Sequence, residues 1–255
     1  VKTLTHETFS RIQRELKRAW AITKKDARIY YLRPGTLMFG LMFPFFLFIS
    51  FAVGRNLPSE VLIPGLMAIT IFFSSSSVGP MAVPTERKTK TYERMITAPV
   101  SPLSILLGEI MGGAVFGSIM IVIPLFIGRI WYGIHITHPI VFIATIALIS
   151  FGFSAMGIMF SAIPTENPGD VMMVLNFIRL PLIFVSGIFI PIDQMGKYGV
   201  ATIISPLTYA KDIIQYSVTG DSFYGPMIDI LGVTIFTVLF LWVGVSMHEK
   251  SRKMG

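Results

Sequence analysis

The stretch PIVFIATIALISFGFSAMGIMFSAI, residues 139–163, carries no charged side chain. An α-helix needs roughly 20 apolar residues to cross the hydrocarbon core of a bilayer, so this segment predicts a membrane helix. Working outward from it, five more apolar stretches of similar length lie at 34–53, 60–83, 103–128, 171–192 and 226–247. The one at 171–192 is the least regular, because it contains Arg179 and Pro181. Composition agrees: 53% of residues are hydrophobic and 14% charged, with a mean hydropathy of +0.70. Soluble domains are about a quarter charged. The expected fold class is therefore an all-α integral membrane protein with six transmembrane helices.

The absence of cysteine excludes disulfides, thiolate metal sites and cysteine nucleophiles. A formal charge of +7 would suit nucleic acid, but the basic residues crowd the edges of the apolar stretches. That distribution suits an anionic lipid leaflet, so the expected partner is the bilayer and not nucleic acid. Nine Lys and Arg residues precede the first span, four lie between the second and third, three follow the last, and none lies between the fourth and fifth. The other side holds Arg55, Arg129, Lys197 and Lys211. Positive charge stays in the cytoplasm, which predicts a plasma-membrane protein with both termini cytoplasmic. The basic region before the first span is too long for a signal peptide, so that span is expected to remain as an anchor.

Residues 1–33 read as an amphipathic helix. Phe9, Ile12, Leu16, Ala19, Trp20, Ala27, Tyr30 and Tyr31 recur at helical spacing, with Arg11, Arg14, Lys17, Arg18, Lys24, Lys25 and Arg28 around the rest of the circumference. Such a helix lies in the membrane interface, either as a lipid-facing anchor or as a connecting helix that also touches a cytoplasmic partner. Pro34 stands where a second helix would begin. At the other end, 248–255 reads as a basic cytoplasmic tail.

Between the second and third spans the chain reads PTERKTKTYERMITAPVSP, residues 84–102. The charged part can form a short helix along the membrane, ended by Pro99, with Pro102 starting the third span. Glu86, Arg87, Thr91, Glu93, Pro99, Val100 and Ser101 stand in an order that resembles the coupling region of the ABC-2 family of ABC exporter permeases, with Lys90 where the family usually has Gly. A second resemblance lies in FVSGIFIP, residues 184–191, followed by SPLTYA, residues 205–210, which look like the end of the family's fifth span and its external segment.

The resemblance implies a permease subunit of an ATP-driven exporter. Its coupling interface would be Glu86, Arg87, Thr91, Glu93, Arg94 and Pro99, and its outer gate Gly187, Pro191, Pro206 and Tyr209. It implies two partners: a cytoplasmic ATP-binding subunit, and a second permease copy or a related permease. Cofactors are expected only on the ATP-binding subunit, as ATP and Mg. The chain's one Gly-Lys pair, Gly196 and Lys197, has Pro191 where a P-loop needs Gly and Tyr198 where it needs Ser or Thr. Permeases of this plan handle drugs, lipids or polysaccharides; the 21 Phe residues are scattered and do not name a cargo.

Glu109 and Arg179 lie roughly 9 and 12 Å into spans that start on the same side, at about 1.5 Å per residue. An intramembrane charge costs on the order of 3 kcal/mol, so the two are expected to pair, within or between protomers, or else to snorkel separately. Ser74, Ser75, Ser76 and Ser77 cover a full turn of the second span, and packing is preferred over a polar path for them. Gly108, Gly112, Gly113 and Gly117 predict close helix contact in the third span. In 193–225, a tract of Pro206, Tyr209, Ile213, Ile214 and Tyr216 suggests re-entrant helices or a surface loop, with Lys211, Asp212 and Asp221 marking access of water. His135 and His138 lack acidic neighbours, and no metal site is expected. Two other functions compete. A membrane-embedded enzyme acting on lipids or isoprenoids would want clustered carboxylates or a nucleophile with its base. A secondary transporter would want more buried acids and repeated broken helices.

Overall fold

The computed structural model describes residues 2–52, 58–98, 100–190 and 192–254. Among these there is no strand. The chain opens with α1 (Lys2–Ile29), turns at residues 30–33, and starts again at Pro34. Arg33 is extended at φ −67° and ψ 137°, and Pro34 takes the first helical position, where its missing N–H costs nothing. The two directions, Gln13–Ile29 and Pro34–Ser50, differ by 93°, so an amphipathic arm lies across the foot of the first span. That span is composite: α2 (Pro34–Leu37), a π-helical turn Met38–Met42, and α3 (Phe43–Ala52).

Five further helices are long and apolar enough to cross a membrane. They are α4 (Ser59–Lys88), the pair α6 (Pro102–Met120) and α7 (Val122–Tyr132), α8 (Pro139–Ser161), α9 (Pro168–Val185) and α11 (Pro226–Met254). Between α4 and α6 lies α5 (Thr91–Thr97), and between α9 and α11 lies α10 (Pro206–Thr219), preceded by 3-10 turns Ile192–Gln194 and Gly196–Ile204. Among the described residues five of the six expected spans are thus present, and a sixth is counted only when Gln13–Ile29 and Pro34–Ser50 are taken together as one bent span.

The polar helix sits in the middle. The apolar window of α4 is 89% buried by the rest of the chain, whereas that of α11 is 17% buried. The α4 helix carries the four serines and packs against α6, α8, α9 and α10. The more hydrophobic α11 offers Leu231, Ile235, Val238 and Trp242 to the outside, where lipid is as good a solvent as protein. Close approach in the bundle rests on glycines. A Cβ on Gly108 would lie 2.7 Å from Ile22 and 2.8 Å from the Ala19 carbonyl, and one on Gly112 would lie 2.8 Å from an Asp26 oxygen, so these two glycines seat α1. Gly113 and Gly117 face the other way, against Ser75 of α4, with Ser154 of α8 also beside Gly113. The expected small-residue contact is therefore two contacts on opposite faces of α6.

Four boundaries differ from the sequence reading. The α4 helix runs on past Pro84 to Lys88, so Glu86 and Arg87 are on a span helix and not in a loop. The third span breaks at Ile121 between α6 and α7. The fifth helix ends at Val185 because Gly187 adopts φ +78° two residues later. Residues 248–254, expected as a tail, continue α11, with His248 buried against the Ile158 carbonyl at 2.9 Å.

Candidate functional site

The segment singled out between the second and third spans is built around one turn. After Lys88 the chain reverses through Thr89 and Lys90, and Lys90 adopts φ 56°, the one positive φ at a non-glycine among the described residues. The left-handed region costs an L-residue about 1–2 kcal/mol, and this is the position where the family pattern has Gly. We expect Lys90→Gly to be tolerated and to raise stability by roughly 0.5–1 kcal/mol after the glycine's extra unfolded-state entropy is subtracted. Lys90→Val should do the opposite, both read from thermal unfolding in detergent.

Beyond the turn, α5 exposes Glu93 and Arg94, with Thr91 half-buried. The Arg87 guanidinium donates to the Ile163 carbonyl at the end of α8 and lies 5.5 Å over the Tyr92 ring. Ser101 caps α6 by accepting from the Ser104 N–H at 3.1 Å, and both hydroxyls also donate to a Glu15 oxygen on α1. Those two hydroxyls hold the Glu15 carboxyl below its ordinary range. Pro99 falls outside the described residues. The segment is thereby fastened to α1 on one side and to α8 on the other.

Glu86 is the exception among the expected interface residues. It is 1% exposed and turned inward, so a docking partner has no access to it. The reason is an ion cluster in which α1, α4 and α6 each place an acid: Asp26, Glu86 and Glu109, exposed by 0, 1 and 1%. Their ligand-type oxygens lie within 4.8 Å of one another. Lys25 Nζ sits among them, 3.0 Å from Asp26 Oδ1, 3.0 Å from Glu109 Oε1 and bonded to Glu86 Oε1. The Tyr30 hydroxyl donates to the same Glu86 oxygen at 3.3 Å.

Two carboxylates at that separation repel by about 3.5 kcal/mol at an effective dielectric near 20, so Lys25 is what allows the three to be buried together. Burial alone would pull its ammonium down, but Glu109, Asp26 and Glu86 outweigh burial and hold it above the usual lysine range. The Asp26 carboxyl is pushed up to about 10, first by burial and then by the Glu109 carboxylate. The Glu109 carboxylate contributes to both shifts, raising the ammonium and the Asp26 carboxyl alike. Around the cluster, the Thr23 and Tyr31 hydroxyls donate to the carbonyls of Gly108 and Gly112 at 3.0 and 2.6 Å, completing the seat of α1 on α6.

The structure corrects the proposed pairing of Glu109 with Arg179. Glu109 takes Lys25 from the arm, and Arg179 on α9 donates to Ser76 at 2.5 Å and Asn176 at 3.2 Å. The guanidinium also lies 4.9 Å over the Phe73 ring. Glu109 and Arg179 are 1% and 0% exposed, so each is enclosed by its own chain and a second protomer does not bring them together; neither snorkels to the surface. The serines are packed: Ser74 and Ser77 return their hydroxyls to carbonyls four residues back at 2.6 Å, and Ser76 does the same while receiving Arg179.

At the opposite end, α10 is a helix whose residues from Pro206 to Ile214 are all buried. This replaces the surface-loop alternative, and it also corrects the expectation that Lys211 and Asp212 meet water, since they are 6% and 1% exposed. Asp212 accepts from the backbone N–H groups of Phe223 and Tyr224 at 2.9 and 2.8 Å, fixing the turn that leads into α11. Of the residues expected at an outer gate, Gly187 supplies its turn against Ile192, Pro206 starts α10, and Tyr209 is wedged against Gly232 with its hydroxyl on the Ile203 carbonyl at 3.2 Å. Pro191 lies outside the described residues. His138 stacks on Tyr216 with ring centres 5.1 Å apart, and His135 meets Arg129.

Sequence reasoning missed Lys25 as a site residue, together with Asp26, Glu15 and Tyr30. One signal was present: Asp26 follows directly on Lys24 and Lys25 in a predominantly basic arm. A family model described as ABC-2 type transporter matches residues 11–219. The inner membrane transport permease YadH of Escherichia coli (strain K12) is 21% identical over 197 residues, covering 76% of this chain and 75% of that protein. The protein of the same name in Shigella flexneri matches to the same extent. With an arm, a buried second span, a short helix between spans two and three and a match over most of its length, this chain belongs to the ABC-2 type transporter family.

Proposed function

We propose that this multi-pass membrane protein is the permease subunit of an ATP-driven exporter, with both termini cytoplasmic. Two permease chains form the translocation path, and a separate ATP-binding subunit docks on α5. The observation that carries this reading is the construction of the α4–α5–α6 segment. Its outward face presents Glu93 and Arg94, while its inward face is tied to α1 through Ser101 and Glu15 and to α8 through Arg87. A push on α5 would therefore reach α1 and α8 through the ends of α4 and α6 that it joins. ATP binding by the partner would bias the permease between two arrangements, as any ligand with unequal affinity for two states does.

The competing enzyme reading would draw on the clustered carboxylates. They are sealed beneath Lys25 and enclosed by α1, α4 and α6, which suits a structural junction better than a lipid-sized substrate site. To test the proposal, tagged wild-type protein and a Glu93→Arg/Arg94→Glu variant are purified in mild detergent and the co-purifying proteins identified. The expected result is a P-loop ATPase held by wild type and reduced at least tenfold with the variant, with unchanged thermal stability because both side chains are exposed. No ATPase on wild type, even after crosslinking, would overturn it.

A further inference from the structure

The charges in the junction between α1, α4 and α6 do not balance. With all three carboxyls ionised, one ammonium would face three carboxylates, an excess of two negative charges among Asp26, Glu86, Glu109 and Lys25. The oxygens divide in the same way. Glu86 Oε1 and Glu109 Oε1 accept from Lys25, and Asp26 Oδ1 lies 3.0 Å from its Nζ without a hydrogen bond. Asp26 Oδ2, Glu86 Oε2 and Glu109 Oε2 are buried and have no hydrogen-bond partner among the described residues. Buried polar atoms are almost always satisfied, and here each of three elements leaves one carboxylate oxygen unspent in the same cluster.

We propose that this junction is a binding site for one hard divalent cation, Ca²⁺ or Mg²⁺, held by the second oxygens of Asp26, Glu86 and Glu109 while Lys25 keeps the first. A charge of +2 balances the cluster, and an all-oxygen carboxylate set is the donor chemistry such ions select. The ion would join the arm to the second and third spans, since no single element supplies more than one of its acids. Access is from the side of Lys25, whose side chain is 20% exposed and forms one wall of a groove of about 350 Å³ between α1 and α5, lined also by Ile22, Met95 and Ile105.

The test needs only the purified chain in neutral detergent. Mn²⁺ is titrated as a spectroscopic probe and free ion is read by electron paramagnetic resonance, with Ca²⁺ and Mg²⁺ as competitors. In parallel, the unfolding temperature is measured in EDTA and in 1 mM of each ion, about the weak end of protein Ca²⁺ sites. Wild type is expected to bind one Mn²⁺ per chain, displaced by Ca²⁺ or Mg²⁺, and to unfold several degrees higher with the ion. Glu109→Gln and, separately, Glu86→Gln should weaken binding at least tenfold, while Glu166→Gln, an exposed acid elsewhere, should not. No stoichiometric binding by wild type would overturn the site, as would binding unchanged in both cluster variants. A protein stabilised equally well in EDTA by lowering the pH would also overturn it, assigning the balancing charge to protons.

Discussion

Lys25→Met is expected to cost about 3–5 kcal/mol of stability, the usual penalty for removing one partner from a buried ion pair. It removes the cation that touches Asp26, Glu86 and Glu109 at once and leaves three buried carboxylates facing one another. The expected readout, in EDTA, is a collapse in the yield of monodisperse protein and a fall of many degrees in unfolding temperature. The triple variant Lys25→Met/Glu86→Gln/Glu109→Gln should recover much of the loss, because it leaves Asp26 as the one acid of the cluster and neutralising the rest is far cheaper than removing the cation alone. If the single variant is as stable as wild type, Lys25 does not hold the arm to the spans.

Gly157→Ala should also be damaging, for a steric reason. A Cβ there would stand 2.9 Å from both Cα and the carbonyl carbon of Ser76, which are backbone atoms of the central helix and cannot rotate aside. Overpacking of this kind costs about 1–3 kcal/mol. It would push α8 off α4 at the turn where Ser76 receives Arg179. Gly244→Ala is the matched control, since its Cβ would lie 3.4 Å from Met159, ordinary contact distance. We expect the unfolding temperature to fall for the first and hold for the second; equal behaviour would mean that the α4–α8 contact is looser than the structure has it.

The spans were readable from sequence because hydropathy reports the one property that a bilayer demands. The places it failed share a cause. Charge ordinarily ends a membrane helix, so Glu86 and Arg87 read as loop residues, yet α4 carries them on its continuing turns, where they meet the arm and α8. Lys25 reads as one more positive charge on a polar face, since periodicity distinguishes polar from apolar but not solvated from buried. Arg179 was correctly singled out as anomalous, but depth alone suggested Glu109 as its partner. Its acceptors are two hydroxyls and an amide, which hydropathy does not mark as partners for a charge. The family pattern drew attention to the segment between α4 and α6, but the arm residues that meet it, Glu15 and Lys25, lie outside the quoted motifs.

The most direct measurement is ATP hydrolysis by the purified chain alone and by the complex that co-purifies with it, both in lipid vesicles. We predict no hydrolysis above empty vesicles for the chain alone, and clear activity for the complex that falls when Glu93 and Arg94 are reversed in charge. Hydrolysis by the chain alone, or a stable transport-competent chain with no ATP-binding partner, would contradict the account.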